Sequence, residues 1–418
     1  MDAFVIRGGR ALKGTLKVKG AKNAVLPIMA ATLLTDERCV IENVPLLRDI
    51  FTMAKVLQHL GVSVQDMGGG ALTADSGGLH DHIAPYELVR TMRASVLVMG
   101  PLLARLGKAK VALPGGCAIG SRPIDIHLKG LEALGARLKV GRGYVEVSGK
   151  KLEGADICLS FPSVGATENL IMAAVLAHGK TVLDNAACEP EIQDLAKFLR
   201  ALGAKIEGEG TPRIHIEGVK RLGAATHRVV PDRIEAGTFL AAGAITGGRV
   251  TVDDAVEEHL RPITSKLAEA GVTIDVDGQS ITASISGRMR PLNIRTMPYP
   301  GFPTDMQAQF MALMAVTPGV SSMTETVFEN RFMQVAELKR MGADIRIEHN
   351  TAIVNGVNSL SGAEVMASDL RASAALVLAG LVARGETKVS RIYHIDRGYE
   401  QIERRLTDLG ADIRRVKE

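Results

Sequence analysis

The sequence predicts an α/β fold of two domains, each made of three repeated units in which buried helices are surrounded by sheets. Three features predict it: a glycine-containing phrase that occurs six times, an almost wholly apolar helix before each copy, and an alternating strand after it. The 418 residues also exceed one ordinary domain and suit two domains of about 200 residues each.

The recurring phrase ends an amphipathic helix in Leu-x-x-Leu, Leu-x-x-Met or Leu-x-x-Ala, followed by glycine. A glycine there lets the chain take the left-handed conformation that terminates a helix. The residues after it alternate between apolar and polar, which indicates a half-buried strand. The glycines occur at intervals of about 70 residues and are Gly61, Gly135, Gly203, Gly271, Gly342 and Gly410.

Upstream of each phrase lies a second helix that is apolar all round, and such a helix is buried on every side. Each repeat is therefore predicted to run strand, buried helix, strand, loop, surface helix, strand. Six repeats divide as three and three, and a cleft between two domains is the usual ligand site. The predicted buried segments are 23–34, 94–106, 168–177, 236–245, 308–316 and 372–383.

Composition excludes several classes of protein. The absence of Trp and the scarcity of Tyr and Phe argue against a base-stacking nucleic-acid surface, and the net charge of +4 comes without a basic block. No apolar run reaches the roughly 18 residues of a membrane helix, and no secretion signal begins the chain. We expect a soluble, cytoplasmic protein that binds neither nucleic acid nor membrane. The four scattered cysteines predict reduced thiols and no metal site, namely Cys39, Cys117, Cys158 and Cys188.

Residues 114–123 form the most informative loop, with three glycines and two prolines. Cys117 lies at its tip, and Arg122 five residues later would favour the reactive thiolate. An ordinary loop with an incidental cysteine is the alternative, and composition alone favours that alternative.

Cations at the starts of buried helices are a second indication of function. Lys22-Asn23, Arg93 and Asp369-Leu370-Arg371 begin the first, second and sixth of these helices. A cation there opposes the helix dipole, but together with free backbone N–H groups it can hold phosphate or carboxylate. Each taken singly also fits a residue placed for solubility.

Asp305 lies in a Pro-Thr-Asp turn before the fifth buried helix. It can cap that helix or act as a general base toward a sugar hydroxyl. The local sequence leaves both roles open.

These motifs together resemble the UDP-N-acetylglucosamine enolpyruvyl transferase family over the whole chain. The resemblance rests on six segments, which are 20–24, 114–125, 302–309, 328–332, 369–371 and 396–400. It implies an inside-out α/β barrel whose N-terminal strand crosses into the second domain. The implied domains are 22–230, and 1–21 together with 231–418.

The resemblance implies transfer of the enolpyruvyl group of phosphoenolpyruvate to the 3′-hydroxyl of UDP-N-acetylglucosamine. This is the first committed step of peptidoglycan precursor synthesis; it passes through a tetrahedral ketal, releases phosphate and uses no metal or organic cofactor. Cys117 would be the general acid and the target of fosfomycin, and Asp305 the general base. Lys22, Arg122 and Arg397 would bind phosphoenolpyruvate, with Lys22 and Arg397 counted among the catalytic groups.

The resemblance also assigns the remaining substrate contacts. Arg93, Arg331 and Arg371, with Asp369 beside them, would line the same positive cleft, and Asn23 would hold the amino sugar. The sequence departs from the family at Phe161-Pro162, where a lysine is common, which removes one phosphate contact. The implied uridine-diphosphate site consists of Arg122, Pro123, Ile124, Asp125, Ile126, Ser163, Val164, Gly165 and Val327.

Three alternatives remain: a 5-enolpyruvylshikimate-3-phosphate synthase, a non-catalytic UDP-sugar-binding paralogue, and a purely structural repeat protein. The PGGC loop and the nucleotide-site residues count against the first. Cys117 and Asp305 occurring together count against the second, because a sensor needs neither acid nor base. The thiol loop fits the third poorly.

Overall fold

The computed structural model describes residues 2–89, 92–113, 124–329 and 331–418, and of Arg93 it describes the backbone alone. This part of the chain forms six four-stranded sheets and divides into two compact units. Leaving aside the residues outside the described part, the first unit takes residues 20–230 and the second takes 2–19 and 231–418.

The chain begins with two strands of the second unit and then forms the first unit. These two strands are β1 (Asp2–Arg7) and β2 (Lys13–Lys17). The helices of the first unit are α1 (Lys22–Ala31), α2 (Arg48–His59), α3 (Tyr86–Val89), α4 (Met99–Leu106), α5 (Asp125–Ala133), α6 (Val164–Ala174) and α7 (Pro190–Ala201). Its strands are β3 (Arg38–Glu42), β4 (Ser63–Gly68), β5 (Ala71–Asp75), β6 (Ile83–Ala84), β7 (Lys108–Ala112), β8 (Arg137–Gly141), β9 (Tyr144–Ser148), β10 (Asp156–Cys158), β11 (Lys180–Asp184), β12 (Lys205–Glu207), β13 (Arg213–Glu217) and β14 (Thr226–Arg228).

The second unit continues from residue 231 to the C-terminus. Its helices are α8 (Arg233–Ile245), α9 (Glu257–Glu269), α10 (Gln307–Ala315), α11 (Gln334–Arg340), α12 (Leu370–Val382) and α13 (Ile402–Asp408). Its further strands are β15 (Arg249–Asp253), β16 (Thr273–Asp277), β17 (Ser280–Ser284), β18 (Asn293–Arg295), β19 (Val320–Thr324), β20 (Asp344–Glu348), β21 (Thr351–Asn355), β22 (Glu364–Met366), β23 (Glu386–Ser390) and β24 (Asp412–Lys417). The described residues also contain four short 3-10 helices, two in each unit: Thr32–Leu34 and Arg93–Val98 in the first, Thr304–Met306 and Ile392–Arg397 in the second.

All six sheets have one plan: an edge strand lies parallel to a central strand, which is followed by an antiparallel pair. In the first unit the orders are β14-β3-β5-β4, β6-β7-β9-β8 and β10-β11-β13-β12. In the second unit they are β2-β15-β17-β16, β18-β19-β21-β20 and β22-β23-β1-β24. The predicted α/β fold of repeats is confirmed, with one correction. Each sheet has four strands and not the three of the predicted repeat. In five repeats the strand after the surface helix turns back as a hairpin, as at Gly278 between β16 and β17. In the last repeat β1 supplies the fourth strand, beside β24.

The N-terminal strands complete two sheets of the second unit. β1 lies between β23 and β24 and is antiparallel to both, with Phe4 opposite Val389 on one side and Arg415 on the other. β2 is the parallel edge strand beside β15. The sheet that contains β15 and the sheet that contains β23 therefore each include a strand from the start of the chain.

The predicted buried helices form the cores. All thirteen residues of α8 are buried, and α10 and α12 pack beside it. In the first unit α1, α4 and α6 take the same role. Each fully buried large apolar side chain contributes about 1.5–3 kcal/mol to folding. No helix of the described residues is long and apolar enough to cross a membrane.

The six repeat glycines behave as predicted. Each lies just after a surface helix, and their φ angles are all positive, from 92° at Gly135 and Gly342 to 105° at Gly203. The left-handed conformation of this residue terminates the helix, and glycine is suited to it because any other residue would be strained there.

Candidate functional site

Asp305 is held by two arginines of the second unit. Its Oδ2 accepts hydrogen bonds from Nε of Arg371 at 3.2 Å and from Nη2 at 2.9 Å. Its Oδ1 lies 2.7 Å from Nη2 of Arg331. The 3-10 helix that contains Asp305 has no side-chain cap, nor does α10 after it. The capping role is therefore wrong, and the carboxylate serves the arginines instead.

This triad is buried on its cationic side. The side chains of Arg331 and Arg371 are 6% and 4% exposed, whereas that of Asp305 is 25% exposed. Burial would raise the pKa of the Asp305 carboxyl, but Arg371 and Arg331 outweigh burial and hold that pKa well below its usual range. The triad carries a net positive charge, with the carboxylate as its accessible edge.

Arg371 is also held by a buried hydrogen-bond network of Tyr399, Thr238 and Gln309. Its Nη1 donates to the buried Tyr399 hydroxyl at 3.1 Å. The Thr238 hydroxyl donates to the Ile234 carbonyl at 2.7 Å, so it accepts from Tyr399 at 2.9 Å. Gln309 Nε2 donates to the Asp305 carbonyl at 2.9 Å and to the Tyr399 hydroxyl at 3.3 Å. The directions of these bonds leave Tyr399 one stable orientation, which points its lone pairs at Arg371 and Gln309.

Asp369 is the N-cap residue of α12 and binds the backbone N–H of Arg371. The Asp369 Oδ1 accepts from the N–H groups of Arg371 at 2.8 Å and Ala372 at 3.0 Å, which is the geometry of an N-cap. The predicted start of the sixth buried helix is thus confirmed. Asp369 does not bind the Arg371 guanidinium, which belongs to Asp305.

Two more predicted residues lie in the second unit. The backbone N–H of Val327 donates to Glu325 Oε1 at 2.7 Å, and its side chain is partly exposed. Arg397 ends the 3-10 helix Ile392–Arg397 and is also partly exposed. Burial first, and the charge of Arg397 second, lower the pKa of His394.

In the first unit, Lys22 is the first residue of α1 and reaches Asp49 of α2. Its Nζ lies 3.3 Å from Asp49 Oδ2, and the two side chains are 12% and 5% exposed. No acidic residue occurs in the first turn of α1, so Asp49 supplies the counter-charge from a neighbouring helix. Asn23 is exposed beside it.

Six of the predicted nucleotide residues lie at two helix starts of the first unit. Ile124 precedes α5, Asp125 and Ile126 open it, and Asp125 is exposed. Ser163 is the N-cap of α6 and accepts from the Ala166 N–H at 3.4 Å, and Val164 and Gly165 form the first turn. Backbone N–H groups at such a turn favour an anion.

His127, which no sequence pattern indicated, lies against this turn at Gly165. Asn169 takes its orientation from two backbone contacts, accepting from Gly100 at 2.7 Å and donating to Val96 at 3.0 Å. Its Nδ2 therefore donates to Nδ1 of His127 at 3.0 Å, which puts the imidazole proton on Nε2. Burial lowers the pKa of His127 to about 4, so the ring is neutral at pH 7.

Thr304, Glu325 and Tyr399 were also not predicted as site residues. The one local signal was the place of Thr304 next to Asp305. Glu325 and Tyr399 are an acid and a phenol whose burial is visible only in three dimensions.

Cys117, Arg122 and Pro123 lie outside the described residues, as does the side chain of Arg93. The described residues therefore bring together Asp305, Arg331 and Arg371 in the second unit and Lys22 with Asp49 in the first. Among the described residues no cluster of His, Cys, Asp and Glu is placed to hold a metal ion. The geometry suits binding of an anion and polarisation of a hydroxyl near Asp305.

Comparisons with known proteins agree on one family. The family model described as EPSP synthase (3-phosphoshikimate 1-carboxyvinyltransferase) matches residues 6–406. The chain is 56% identical over 420 residues to a Carboxydothermus hydrogenoformans protein named UDP-N-acetylglucosamine 1-carboxyvinyltransferase 2. It is 55% identical over 416 residues to a Desulfosudis oleivorans protein named UDP-N-acetylglucosamine 1-carboxyvinyltransferase. Both alignments cover 100% of each chain.

Solved structures give the same fold. The enolpyruvyl transferase NikO from Streptomyces tendae matches with a TM-score of 0.90 and 25% identity, over 100% of this chain and 99% of that one. An EPSP synthase from Acinetobacter baumannii matches with a TM-score of 0.76 and 20% identity, over 100% of both chains. At that identity the second likeness concerns the fold alone.

Proposed function

Because the chain belongs to the EPSP synthase family of enolpyruvyl transferases, we propose that it transfers the enolpyruvyl group of phosphoenolpyruvate to UDP-N-acetylglucosamine. The observation that carries the proposal is full-length identity of 55–56% to two proteins named for that acceptor. Identity to the EPSP synthase structure is only 20%. Both substrates are charged metabolites, so we place the reaction in the cytoplasm.

The proposed reaction is an addition followed by an elimination. The 3′-hydroxyl oxygen of the sugar bonds to C2 of phosphoenolpyruvate, its proton goes to a base, and C3 gains a proton from an acid. The resulting ketal then loses a proton from C3 and expels phosphate, which restores the double bond. Atoms and charge balance without a redox or metal cofactor.

Asp305 is the proposed base, and its surroundings define how it works. A carboxylate with a lowered pKa is a weak base toward a free alcohol. The arginine pair compensates by fixing the carboxylate and by stabilising the anions of phosphoenolpyruvate and of the ketal beside it. The accessible edge of Asp305 is where the hydroxyl would donate its hydrogen bond.

The other roles follow the resemblance. Cys117 would protonate the methylene carbon, while Lys22, Arg93, Arg122 and Arg397 would bind the phosphate and carboxylate of phosphoenolpyruvate. Their number suits a substrate with two anionic groups. We propose that the two compact units correspond to domains of residues 22–230, and 1–21 with 231–418.

The acceptor would be held mainly by backbone and neutral groups. Asn23 and Asp305 would bind the amino sugar, and the start of α6 would bind the diphosphate through its N–H groups. Phe161 is 40% exposed at this start, where it supplies no charge. The remaining proposed contacts of the uridine diphosphate are Arg122, Pro123, Ile124, Asp125, Ile126, Ser163, Val164, Gly165 and Val327.

The test is phosphate release from phosphoenolpyruvate with each acceptor in turn. Release with UDP-N-acetylglucosamine and not with shikimate-3-phosphate supports the proposal. Release only with shikimate-3-phosphate would instead indicate the activity in the family model's description, that of a 3-phosphoshikimate 1-carboxyvinyltransferase. No release with either, together with tight binding of the nucleotide sugar, would favour a non-catalytic binding protein.

A further inference from the structure

The residue after the central strand differs between the repeats. In four repeats this residue is left-handed, with φ between 55° and 61°. The two exceptions are Leu113, which precedes the Cys117 segment, and Glu325 in the repeat that carries Asp305; neither has a positive φ. The regular turn is thus replaced in the two repeats that hold the proposed acid and base. The four left-handed residues are Asn43, Asn185, Asp254 and Arg391.

At the position where four other repeats have a left-handed residue, the side chain of Glu325 forms hydrogen bonds to the segment that follows it. The residue is 3% exposed. Its Oε1 accepts from the Thr296 hydroxyl at 2.7 Å, from the Val327 N–H at 2.7 Å and from the Phe328 N–H at 3.1 Å. Its Oε2 accepts from the Thr304 hydroxyl at 2.8 Å.

The directions of these bonds are settled by the neighbouring groups. The Thr296 hydroxyl accepts from the Thr326 N–H at 2.9 Å, which leaves its proton for Glu325. The Thr304 hydroxyl accepts from Arg331 Nη1 at 2.9 Å, which leaves its proton for Glu325 as well. Four donors thus face one carboxylate, and no cation of the described residues contacts it directly. A buried carboxylate is tolerated on these terms only when its hydrogen bonds are satisfied.

The Glu325 carboxylate is linked to both partners of the Asp305–Arg331 ion pair. Oε2 fixes Thr304, the residue before Asp305, while Oε1 fixes the backbone that leads to Arg331. Thr304 in turn receives Nη1 of Arg331, whose Nη2 binds Asp305. Moving Glu325 would therefore shift Asp305 and Arg331 against each other.

We propose that Glu325 is a positioning residue of enolpyruvyl transfer, which sets the contact between Asp305 and Arg331 through Thr304 and through the backbone of Val327 and Phe328. The inference rests on the proposed function, since it assigns a role within that reaction. It goes beyond it because Glu325 itself would touch neither substrate. Separation of Arg331 from Asp305 would weaken the effect that holds the Asp305 pKa low, which makes the pH profile a specific readout.

The first variant is Glu325→Gln. Its amide oxygen can keep the three donors at Oε1, but its amide nitrogen would then face Thr304 as a donor. The second variant, Thr304→Val, removes the same link and leaves the carboxylate in place. The control is Thr282→Val, which deletes a hydroxyl bonded to Thr251 at 2.8 Å in another repeat.

Steady-state kinetics with UDP-N-acetylglucosamine give the main result. We expect Glu325→Gln and Thr304→Val to lower kcat by about 10- to 100-fold, as misplacement of a catalytic group does. KM for the nucleotide sugar should change less than kcat, and the acidic limb of the kcat profile should move to higher pH. Thr282→Val should match the wild type. Unchanged kcat and pH profile in both variants would overturn the inference.

A second measurement separates this inference from the proposed function. If the wild-type protein releases no phosphate with either acceptor, the proposed function fails. The positioning role is then tested by a double-mutant cycle of Glu325→Gln and Arg331→Lys, read as urea midpoints. Non-additive midpoint shifts would support the coupling of Glu325 to Arg331, and additive shifts would overturn it.

Discussion

Arg371 places both Nε and Nη2 on a single oxygen of Asp305, Oδ2, at 3.2 and 2.9 Å. Arg331 is left with Oδ1. The carboxylate is therefore divided between two arginines, each of which has its own support, Tyr399 for Arg371 and Thr304 for Arg331. Two buried cations around one carboxylate make a rigid, net positive group, which suits an anionic substrate.

Asp305→Asn should impair both activity and folding. We expect kcat to fall by about 10²- to 10⁴-fold, the usual worth of a general base. The unfolding free energy at pH 7 should fall by about 3 kcal/mol, because two buried guanidiniums lose their counter-charge. Phosphate release and urea unfolding measure the two effects. An Asn variant as stable as the wild type at pH 7 would contradict the buried triad.

The difference in unfolding free energy between the wild type and Asp305→Asn depends on pH because the pKa of Asp305 is lowered in the folded state. The unfolded carboxyl has a pKa of about 3.9, and the folded pKa is lower. The stabilisation by Asp305 is thus fully present above about pH 5 and is lost as pH falls below about 4. The gap between wild type and Asp305→Asn should be constant from pH 7 to 5 and narrow below pH 4. A gap that narrows between pH 7 and 5 would mean that the pKa is not lowered.

Tyr399→Phe should loosen Arg371 without removing a charge. The variant leaves Nη1 of Arg371 and Nε2 of Gln309 without the hydroxyl they bind. A buried donor without a partner costs about 1–3 kcal/mol, which urea unfolding would detect, and kcat should fall with it. Tyr393→Phe is the matched control, because Tyr393 is 39% exposed and should change stability by less than about 0.5 kcal/mol. Equal stability of the two variants would argue against the network.

The sequence predicted what local physics controls. The helix-terminating glycines, the apolar helices and the alternating strands each leave a pattern within a few residues, and all appear in the structure. The hairpin strand was missed because each strand pair is short and separated only by a turn such as Gly278. The partners of Asp305 were not derivable, because Arg331 and Arg371 come from different segments, the turn before α11 and the first turn of α12. From the local sequence, Asp305 therefore kept both a capping role and a general-base role, and the structure contradicts the capping role.

His127→Gln tests the neutral imidazole beside α6. The pKa of His127 is about 4 when folded, against 6.5 for an ordinary histidine. The unfolded state therefore takes up the proton first, and wild-type stability falls as pH decreases from 6.5 to 4. The two pKa values predict a loss of about 3 kcal/mol relative to the Gln variant over this range. Urea unfolding at pH 7, 5.5 and 4 measures it.

His215→Gln provides the control for that experiment. His215 is an exposed residue of β13 in the same unit, so its replacement removes a histidine without disturbing a buried contact. Its stability should follow that of the wild type at each pH. If His127→Gln also follows the wild type, His127 is not buried as a neutral ring.

Gly356→Ala tests how closely the repeats are packed. A Cβ at Gly356 would lie 1.6 Å from the Thr317 carbonyl oxygen, just beyond the end of α10. In another repeat, a Cβ added at Gly218 would lie at the same distance from the Ala177 carbonyl oxygen. We expect Gly356→Ala to cost about 3 kcal/mol of unfolding free energy, since backbone must move. Gly287→Ala is the control, because nothing lies within 4 Å of its added Cβ, and a similar loss there would contradict the steric explanation.

Cys117→Asp tests the proposed acid, for which the family resemblance is the support. An aspartic acid can still donate a proton, so turnover should persist, whereas alkylation by fosfomycin should stop because a carboxylate does not replace the thiolate nucleophile. Cys117→Ser should lose both, with kcat lower by about 10²- to 10⁴-fold. Cys188→Ser changes a partly buried thiol whose pKa burial raises, and it should stay as sensitive as the wild type. Phosphate release after incubation with fosfomycin gives all three results, and undiminished inactivation of Cys117→Asp would assign the reactive thiol to another cysteine.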